Sequence, residues 1–372
     1  MKLCFLAGAN SIHSYRWIKY LADKGYEIHW ISLAPMTDCG GEIKNLKLYL
    51  TPYLIEKWQF GLSSLLKLLF NVIWAGRLIN KIKPDILHSH YAGVNGLAGA
   101  LSGFHPFILT AWGSDILIAP KSKIVKPLIK FVLKKADLIT CDAEHMKKSM
   151  VDLGASPSKI KIIYFGTDAQ KFSPGPRDEE LIKELKIQDS PVIISLRSFE
   201  PIYDIETLIR AILIILKEFP EAKFIIAGKG SEEEKLKNLA KDLNILESIR
   251  FPGFISNADL PRYLKTSDIY VSTSLSDAGL SSSTAEAMAS GLPVIITDIG
   301  ENEKWVKGGE SGYLIPVKNS NILAEKIVYL IKNENLRKEL GLTNRKKIED
   351  EKNFYREMEK MEKLYYSSLI PG

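Results

Sequence analysis

Short apolar runs alternate with amphipathic stretches along this chain, and the rhythm holds nearly throughout. Residues 2–7 (KLCFLA) form an apolar run of strand length, and Gly8-Ala9-Asn10-Ser11 is a loop. Residues 15–24 carry a helical pattern that stops at Gly25, and residues 27–33 return to a strand. The chain therefore opens as a βαβ unit of the Rossmann-like kind. Strands follow at 84–90, 107–111 and 137–140, then a strand and turn over 160–168, with helices at 121–135 and from 143. The breaker cluster Phe172-Ser173-Pro174-Gly175-Pro176 places a linker at roughly 170–190. The rhythm resumes with strands at 191–196, 223–227, 249–253, 269–271 and 294–297 and helices at 204–217, 259–266 and from about 283. Residues 321–366 read as helical, with a solvated face rich in Lys and Glu. The pattern predicts an α/β protein with two Rossmann-like, doubly wound domains, over residues 1–170 and 188–350.

Composition changes this picture little. A length of 372 residues suits two domains, and 46% hydrophobic with 25% charged residues is the balance of a soluble globular protein. Three scattered cysteines, Cys4, Cys39 and Cys141, have no metal-like spacing and fit reduced thiols in a cytoplasmic protein. The apolar start is too short for a signal peptide. Residues 86–114 carry no Asp, Glu, Lys or Arg, yet His88, His90, Asn95, His105 and Pro106 argue for buried strand, small-residue helix and buried strand rather than a membrane span.

Charge adds one feature. The net +6 is uneven: residues 1–170 hold 21 Lys/Arg against 12 Asp/Glu. No nucleic-acid motif accompanies this basic half, so nucleic acid is not an expected partner, and an anionic membrane surface or a phosphorylated acceptor fits better. Residues 58–83 (WQFGLSSLLKLLFNVIWAGRLINKIK) contain no acid. Leu65, Leu66, Leu69, Ile73, Leu78 and Ile82 recur there at helical spacing. Two readings stand: a domain helix packed on the sheet, or an amphipathic helix on a membrane surface with Trp58 and Trp74 near the headgroups. The segment 121–135 is basic in the same way, with Ile124, Leu128 and Phe131 as its apolar side. The expected location is the cytoplasm, peripheral on the inner face of the cell membrane.

Candidate chemistry concentrates in residues 270–300, YVSTSLSDAGLSSSTAEAMASGLPVIITDIG: a strand, a Ser/Asp/Gly loop, a helix stopped at Gly291, and a strand opened by Pro293. Backbone N–H groups and the positive end of a helix dipole then lie at a strand's C-terminal edge, ready for an anion. Ser283-Thr284-Ala285-Glu286 fits a capping box, in which Glu286 bonds the cap's backbone N–H; in the alternative, Glu286 points back to the loop and its ligand. Gly8 lets a ligand approach the backbone closely, and His13 and Arg16 either face the same cleft or are solvated residues at a helix start. His88 and His90 point the same way on one strand, with His90 at its ligand-binding end; no third metal ligand is evident. The loop after the strand 107–111 carries Trp112, a ring for stacking, and Asp115, a carboxylate that can accept from hydroxyls. The first loop lacks G-x-G-x-x-G, against a nicotinamide enzyme.

Four passages carry a family resemblance: Asp85-Ile86-Leu87-His88-Ser89-His90, the G-x-D…F-x-P passage from Gly166 to Pro174, Arg197 after a strand, and Asp277…Glu286 before AMASGLPVI. Together the chain resembles the family 4 retaining glycosyltransferases, whose arrangement is GT-B, two Rossmann-like domains facing a cleft. Three positions depart from the family. Its Glu-x7-Glu pair has Ala278 at the first position, with Asp277 one residue early; its clamp lysine falls on Ile202 or Tyr203; and Trp112 stands where many members carry histidine. The resemblance implies transfer of a hexose-type sugar from a nucleotide-diphosphate sugar to a glycan or lipid-linked acceptor, in cell-surface polysaccharide or glycolipid synthesis, with no cofactor and no metal. It gives Arg197, Asp277 and His90 catalytic roles, with Arg197 on the diphosphate and Asp277 on hexose hydroxyls. Glu286 takes the ribose; Gly8, Leu280, Ser281, Ser282 and Lys229 complete the donor site. His13, Trp112 and Asp115 lie on the acceptor side, and a last helix, about 352–372, returns to the first domain. A nucleotide-sugar epimerase or a non-catalytic nucleotide-sugar or membrane-binding module are the alternatives.

Overall fold

The protein is described from a computed structural model, which covers residues 1–36, 43–53, 62–277 and 279–370. Cys39, Trp58 and Ala278 lie outside the described residues. The chain divides into two compact units, Met1–Phe165 with Arg356–Gly372, and Gly166–Tyr355.

The first unit is built on strands β1 (Lys2–Leu6), β2 (Glu27–Ser32), β3 (Leu46–Leu50), β4 (Ile86–His90), β5 (Phe107–Thr110), β6 (Leu138–Cys141) and β7 (Ile160–Ile162). They form one sheet in the order β3-β2-β1-β4-β5-β6-β7, and every pairing is parallel. β4 lies between β1 and β5, with His88 opposite Phe5 and Ile108, and all five of its residues are buried. A parallel strand covered on both faces needs a continuous apolar run, and the two histidines interrupt one here. β3 was not anticipated: LKLYL is short, half-exposed and carries a lysine, and only its pairing with β2 makes it a strand.

The helix expected from residue 15 runs Ile12–Asp23, because the Ser11 side chain accepts from Ser14 N at 3.3 Å and caps it three residues earlier. That cap puts His13 in the first helical turn. The helix expected over 121–135 is a short turn, Ala119–Lys121, followed by Val125–Lys135. Pro127 has no N–H to donate and is tolerated only in a first turn, so the longer helix begins just before it.

The second unit carries β8 (Val192–Ser195), β9 (Lys223–Ile226), β10 (Ile249–Arg250), β11 (Ile269–Ser272), β12 (Val294–Thr297) and β13 (Gly312–Ile315), all parallel, in the order β10-β9-β8-β11-β12-β13. Ile193, Phe224, Val271 and Ile295 from four of these strands join Leu208, Ile212 and Leu323 from the flanking helices in one core. The interval read as a linker contains a helix, Glu179–Leu185, capped by Asp178, whose side chain accepts from Leu181 N at 2.9 Å. The two ends of this unit pair with each other: Thr167 N donates to Lys352 O at 2.8 Å and Phe354 N to Thr167 O at 3.1 Å. Gly166 sits against this crossing at φ +67°, where a Cβ would collide with the Phe354 backbone.

Candidate functional site

In the second unit, the loops after β8, β9 and β11 meet at the C-terminal edge of the sheet, where open α/β folds take ligands. Arg197 follows β8, and its guanidinium is largely buried. Its Nη2 pairs with Asp277 Oδ1 at 2.6 Å, with only 9% and 12% of the two side chains exposed. Nη1 reaches Ser283 Oγ at 3.5 Å, and the guanidinium carbon lies 4.4 Å from the Tyr203 ring centroid. Nε is buried and makes no hydrogen bond. Arg197 and Asp277, given separate tasks by the resemblance, are thus ion-paired to each other. Burial pushes the Asp277 carboxyl above its ordinary range, with Arg197 opposing the rise. Burial weakens the guanidinium's hold on its proton, but Asp277, with Tyr270 and Tyr203, more than offsets this and the pKa of Arg197 lies above its ordinary value.

The position of the missing clamp lysine has a structural use. Leu275 N donates to Ile202 O at 2.8 Å and Thr273 Oγ1 to Tyr203 O at 3.0 Å, tying the loop after β11 to the loop after β8. Tyr203 supplies the face on which Arg197 lies, so a stacked ring occupies the neighbourhood of a second cation. Lys229, exposed after β9, stands close by in the chain's folding: Phe199 N donates to Lys229 O at 3.0 Å, and a Cβ on Gly228 would meet Arg197 O at 2.5 Å.

The helix beginning this site runs Ser282–Ala289, and its N-cap is Ser281, whose side chain accepts from Thr284 N at 3.3 Å. A capping box on Ser281 would need its acid at position 284; Glu286 is two residues beyond, so the box centred on Ser283 does not form. Glu286 is buried, 7% exposed, on the helix that starts beside Arg197. Ser283 Oγ is shared with Tyr270 Oη at 2.8 Å, which ties the helix start to β11. Lys352, 2% exposed, donates from Nζ to Leu280 O at 3.3 Å and lies 4.8 Å from the Trp305 ring centroid. Tyr270 and Lys352 escaped the sequence reading as site residues, and Tyr203 entered it only as a position lacking the clamp lysine. Lys352 lies 72 residues from its contact, and no local pattern could have signalled it.

Gly8, His13, His90, Trp112 and Asp115 belong to the first unit. Three of them cluster. His13 and Trp112 have ring centroids 5.2 Å apart, Trp112 and His90 5.5 Å, and Phe165 stacks on His13 at 5.6 Å. His90 Nδ1 bonds Ser14 Oγ at 3.0 Å, while His90 Nε2 and Trp112 Nε1 are buried without hydrogen bonds. Burial, with the Arg16 charge, lowers the pKa of His13 to about 4, and burial, with His13, lowers that of His90 to about 3. Both rings are neutral at physiological pH and act through hydrogen bonds and ring faces rather than as charged acids. A Cβ on Gly8 would meet Asn10 Oδ1 at 2.6 Å, so any larger residue here would displace the Asn10 side chain.

One expectation is corrected here. Asp115 cannot hold acceptor hydroxyls from its place in this structure. It is 0% exposed, and its carboxylate accepts from Ala92 N at 2.7 Å, Trp112 N at 3.0 Å and Gly113 N at 2.9 Å. It shapes the loop that presents Trp112. His88 is likewise structural: Nδ1 bonds Tyr365 Oη at 2.6 Å and Nε2 bonds Thr110 Oγ1 at 2.7 Å, which leaves no nitrogen for a metal. Among the described residues, no group of three or more His, Cys, Asp or Glu is placed to hold a metal ion.

Two parallel α/β units, each presenting loops at its strands' C-terminal ends, make up the GT-B fold. The crystal structure of Anabaena HepE in complex with UDP superposes with a TM-score of 0.79 at 18% identity, covering 99% of this chain and 100% of that one. Residues 2–143 match the family described as glycosyl transferase 4-like and residues 176–347 the glycosyl transferases group 1. The chain belongs to these family 4, group 1 glycosyltransferases. N-acetyl-alpha-D-glucosaminyl L-malate synthase of Bacillus anthracis is 25% identical over 362 residues, 94% of this chain and 92% of the relative. UDP-Gal:alpha-D-GlcNAc-diphosphoundecaprenol alpha-1,3-galactosyltransferase of Escherichia coli is 26% identical over 322 residues, 82% of this chain and 81% of the relative.

Proposed function

We propose that this glycosyltransferase moves a hexose-type sugar from a nucleotide-diphosphate sugar, with UDP-hexose the first donor to test, to a glycan or lipid-linked acceptor. Transfer retains the anomeric configuration, needs no metal, and serves cell-surface polysaccharide or glycolipid synthesis in the cytoplasm. The observation that carries this reading is the buried Arg197 guanidinium beside Ser283, at the positive end of the helix Ser282–Ala289. Two positive features face one carboxylate there, a combination that favours an incoming dianion over an empty site. The HepE complex with UDP and the named donor of the Escherichia coli relative support the choice of donor.

In this mechanism Arg197 and the backbone N–H groups around 280–283 take up the charge that develops on the leaving diphosphate. Lys229 adds a further cation. Glu286 accepts from the ribose hydroxyls. Asp277 orients Arg197 through the 2.6 Å pair, a positioning role in place of the hexose contact. The donor's C1–O bond to phosphate breaks as the acceptor oxygen bonds C1 on the same face, and the acceptor proton passes to the leaving phosphate oxygen. His13 and Trp112 offer ring faces to the acceptor, and His90, 2% exposed and packed against Trp112, supports them from behind rather than touching the acceptor.

The test is incubation of the full chain with a panel of labelled nucleotide sugars and lipid or glycan acceptors, with and without EDTA. Glycosylated product of retained configuration, unchanged by EDTA, is expected. Isomerised donor identifies an epimerase, and tight nucleotide binding without turnover a binding module. Glu286→Ala should weaken donor binding by roughly 10- to 100-fold, the loss of charge-assisted hydrogen bonds of about 1.5–3 kcal/mol. Glu286→Gln should keep the native melting temperature. Donor affinity within twofold of native in Glu286→Ala removes the ribose role.

A further inference from the structure

The helix Leu62–Ile82 buries one apolar face and leaves another uncovered. Asn71, Val72, Ala75, Ile79 and Ile82 are turned inward. Leu66, Leu69, Phe70 and Ile73, spaced i, i+3, i+4, i+7, are exposed, Leu66 by 57% and Ile73 by 53%. This helix packs on Val94–Ser102, which packs in turn on Val125–Lys135, so the three lie side by side in the first unit. The exposed apolar positions continue across them, with Leu101 on the second and Leu128 on the third, and Ile124, 73% exposed, just ahead of it.

Charge runs the same way. The three helices contain no Asp or Glu. Lys67, Arg77 and Lys81 are exposed on the first, and Lys121, Lys123, Lys126 and Lys130 are exposed on or before the third. Among the described residues, the acids nearest in sequence are committed elsewhere: Asp115 is buried, Asp85 accepts from Lys2 N at 2.7 Å, and Asp137 accepts from Phe107 N at 2.7 Å.

We infer that this layer is a docking surface for an anionic lipid bilayer. An apolar stripe set among cations and free of acids complements a surface with negative headgroups over hydrocarbon. A second copy of the chain fits poorly, because a symmetric contact would press one cationic patch against the other. A nucleic-acid backbone would answer the lysines and leave the aliphatic stripe in water. Among the described residues no helix is long and apolar enough to cross a membrane, so the layer would rest in the interfacial plane. Trp74 is half-buried, so the stripe of Leu66 to Ile73, rather than a tryptophan anchor, makes the apolar contact.

Cosedimentation of the full chain with phosphatidylcholine vesicles, alone or with about 30% phosphatidylglycerol, tests this. Binding should be at least tenfold stronger to the anionic vesicles and fall about tenfold or more between roughly 0.05 and 0.5 M NaCl. Lys126→Glu/Lys130→Glu should lower anionic binding about tenfold or more, and Leu69→Ser/Ile73→Ser should lower it at unchanged salt dependence. All four positions are exposed, and thermal melts of the variants should match the native chain. The inference is overturned by equal binding to both vesicle types, by variants that bind as the native chain does, by concentration-dependent dimerisation that the Leu69/Ile73 variant abolishes, or by duplex DNA displacing the protein from vesicles at equal charge.

Discussion

Asp277→Ala separates two roles for one carboxylate. If Asp277 serves only sugar hydroxyls, its removal slows turnover and leaves the empty protein's stability alone. The structure instead pairs it with Arg197 at 2.6 Å, with 9% and 12% of the side chains exposed. Solvent screening is therefore weak, and truncation strands a guanidinium among buried groups with Nε already unbonded. Breaking a buried pair from one side costs about 3–5 kcal/mol, and the expected loss here is about 3 kcal/mol, since Ser283 and the Tyr203 ring still contact the cation. Replacing both partners with apolar residues of similar size, Arg197→Met/Asp277→Leu, should come within about 1 kcal/mol of native. Denaturant unfolding, followed through Trp305 in a background where the other five tryptophans are replaced by phenylalanine, reads the second unit's own transition. Pyrophosphate provides a second reading. The unpaired cation in Asp277→Ala offers it a better partner, so its stabilising effect should exceed that on the native chain. A loss below about 1 kcal/mol together with an unchanged pyrophosphate response would refute the pairing argument.

Two further outcomes follow from the first unit. Burial lowers the folded pKa values of His13 and His90 from 6.5 to about 4 and about 3, and that of His88 well below 6.5, so the unfolded chain takes up their protons first as the pH falls. Stability should therefore be complete above about pH 6.5 and decline by about 1.4 kcal/mol per pH unit for each such histidine as the pH falls toward the folded values; thermal melts between pH 7 and about 5 show it, His90→Gln should lower the slope by one histidine's share, and a flat native profile counts against it. Asp115→Ala leaves three backbone N–H groups without their acceptor and should cost the first unit about 3 kcal/mol in denaturant unfolding; full stability with a raised acceptor KM would restore the direct acceptor role.

The strand rhythm and the helix stops come from local chemistry, and that chemistry was legible. β-branched runs between glycine and proline breaks produce short buried strands wherever they occur, so two parallel sheets followed from the order of residues. The motif from Tyr270 to Gly300 marked an anion-binding helix start for the same reason, since backbone geometry there depends on Ser281, Gly291 and Pro293 nearby. β3 and the break before Val125 were not legible in full, because one depends on pairing with β2 and the other on the balance of a single proline against its neighbours.

What a side chain bonds was decided only by the tertiary fold. Asp277 and Arg197 are 80 residues apart in sequence, and His88 meets Tyr365 across 277. Asp115 looked like a polar residue in an exposed loop, and three backbone N–H groups brought around it by folding made it structural. The helix Leu62–Ile82 has enough apolar residues for two faces, and periodicity alone could not say which one the sheet would claim. Burial and pairing are properties of distant segments meeting, so the sequence by itself determined the elements and the chemical types present, while the assembled units decided which of those groups remain available for chemistry.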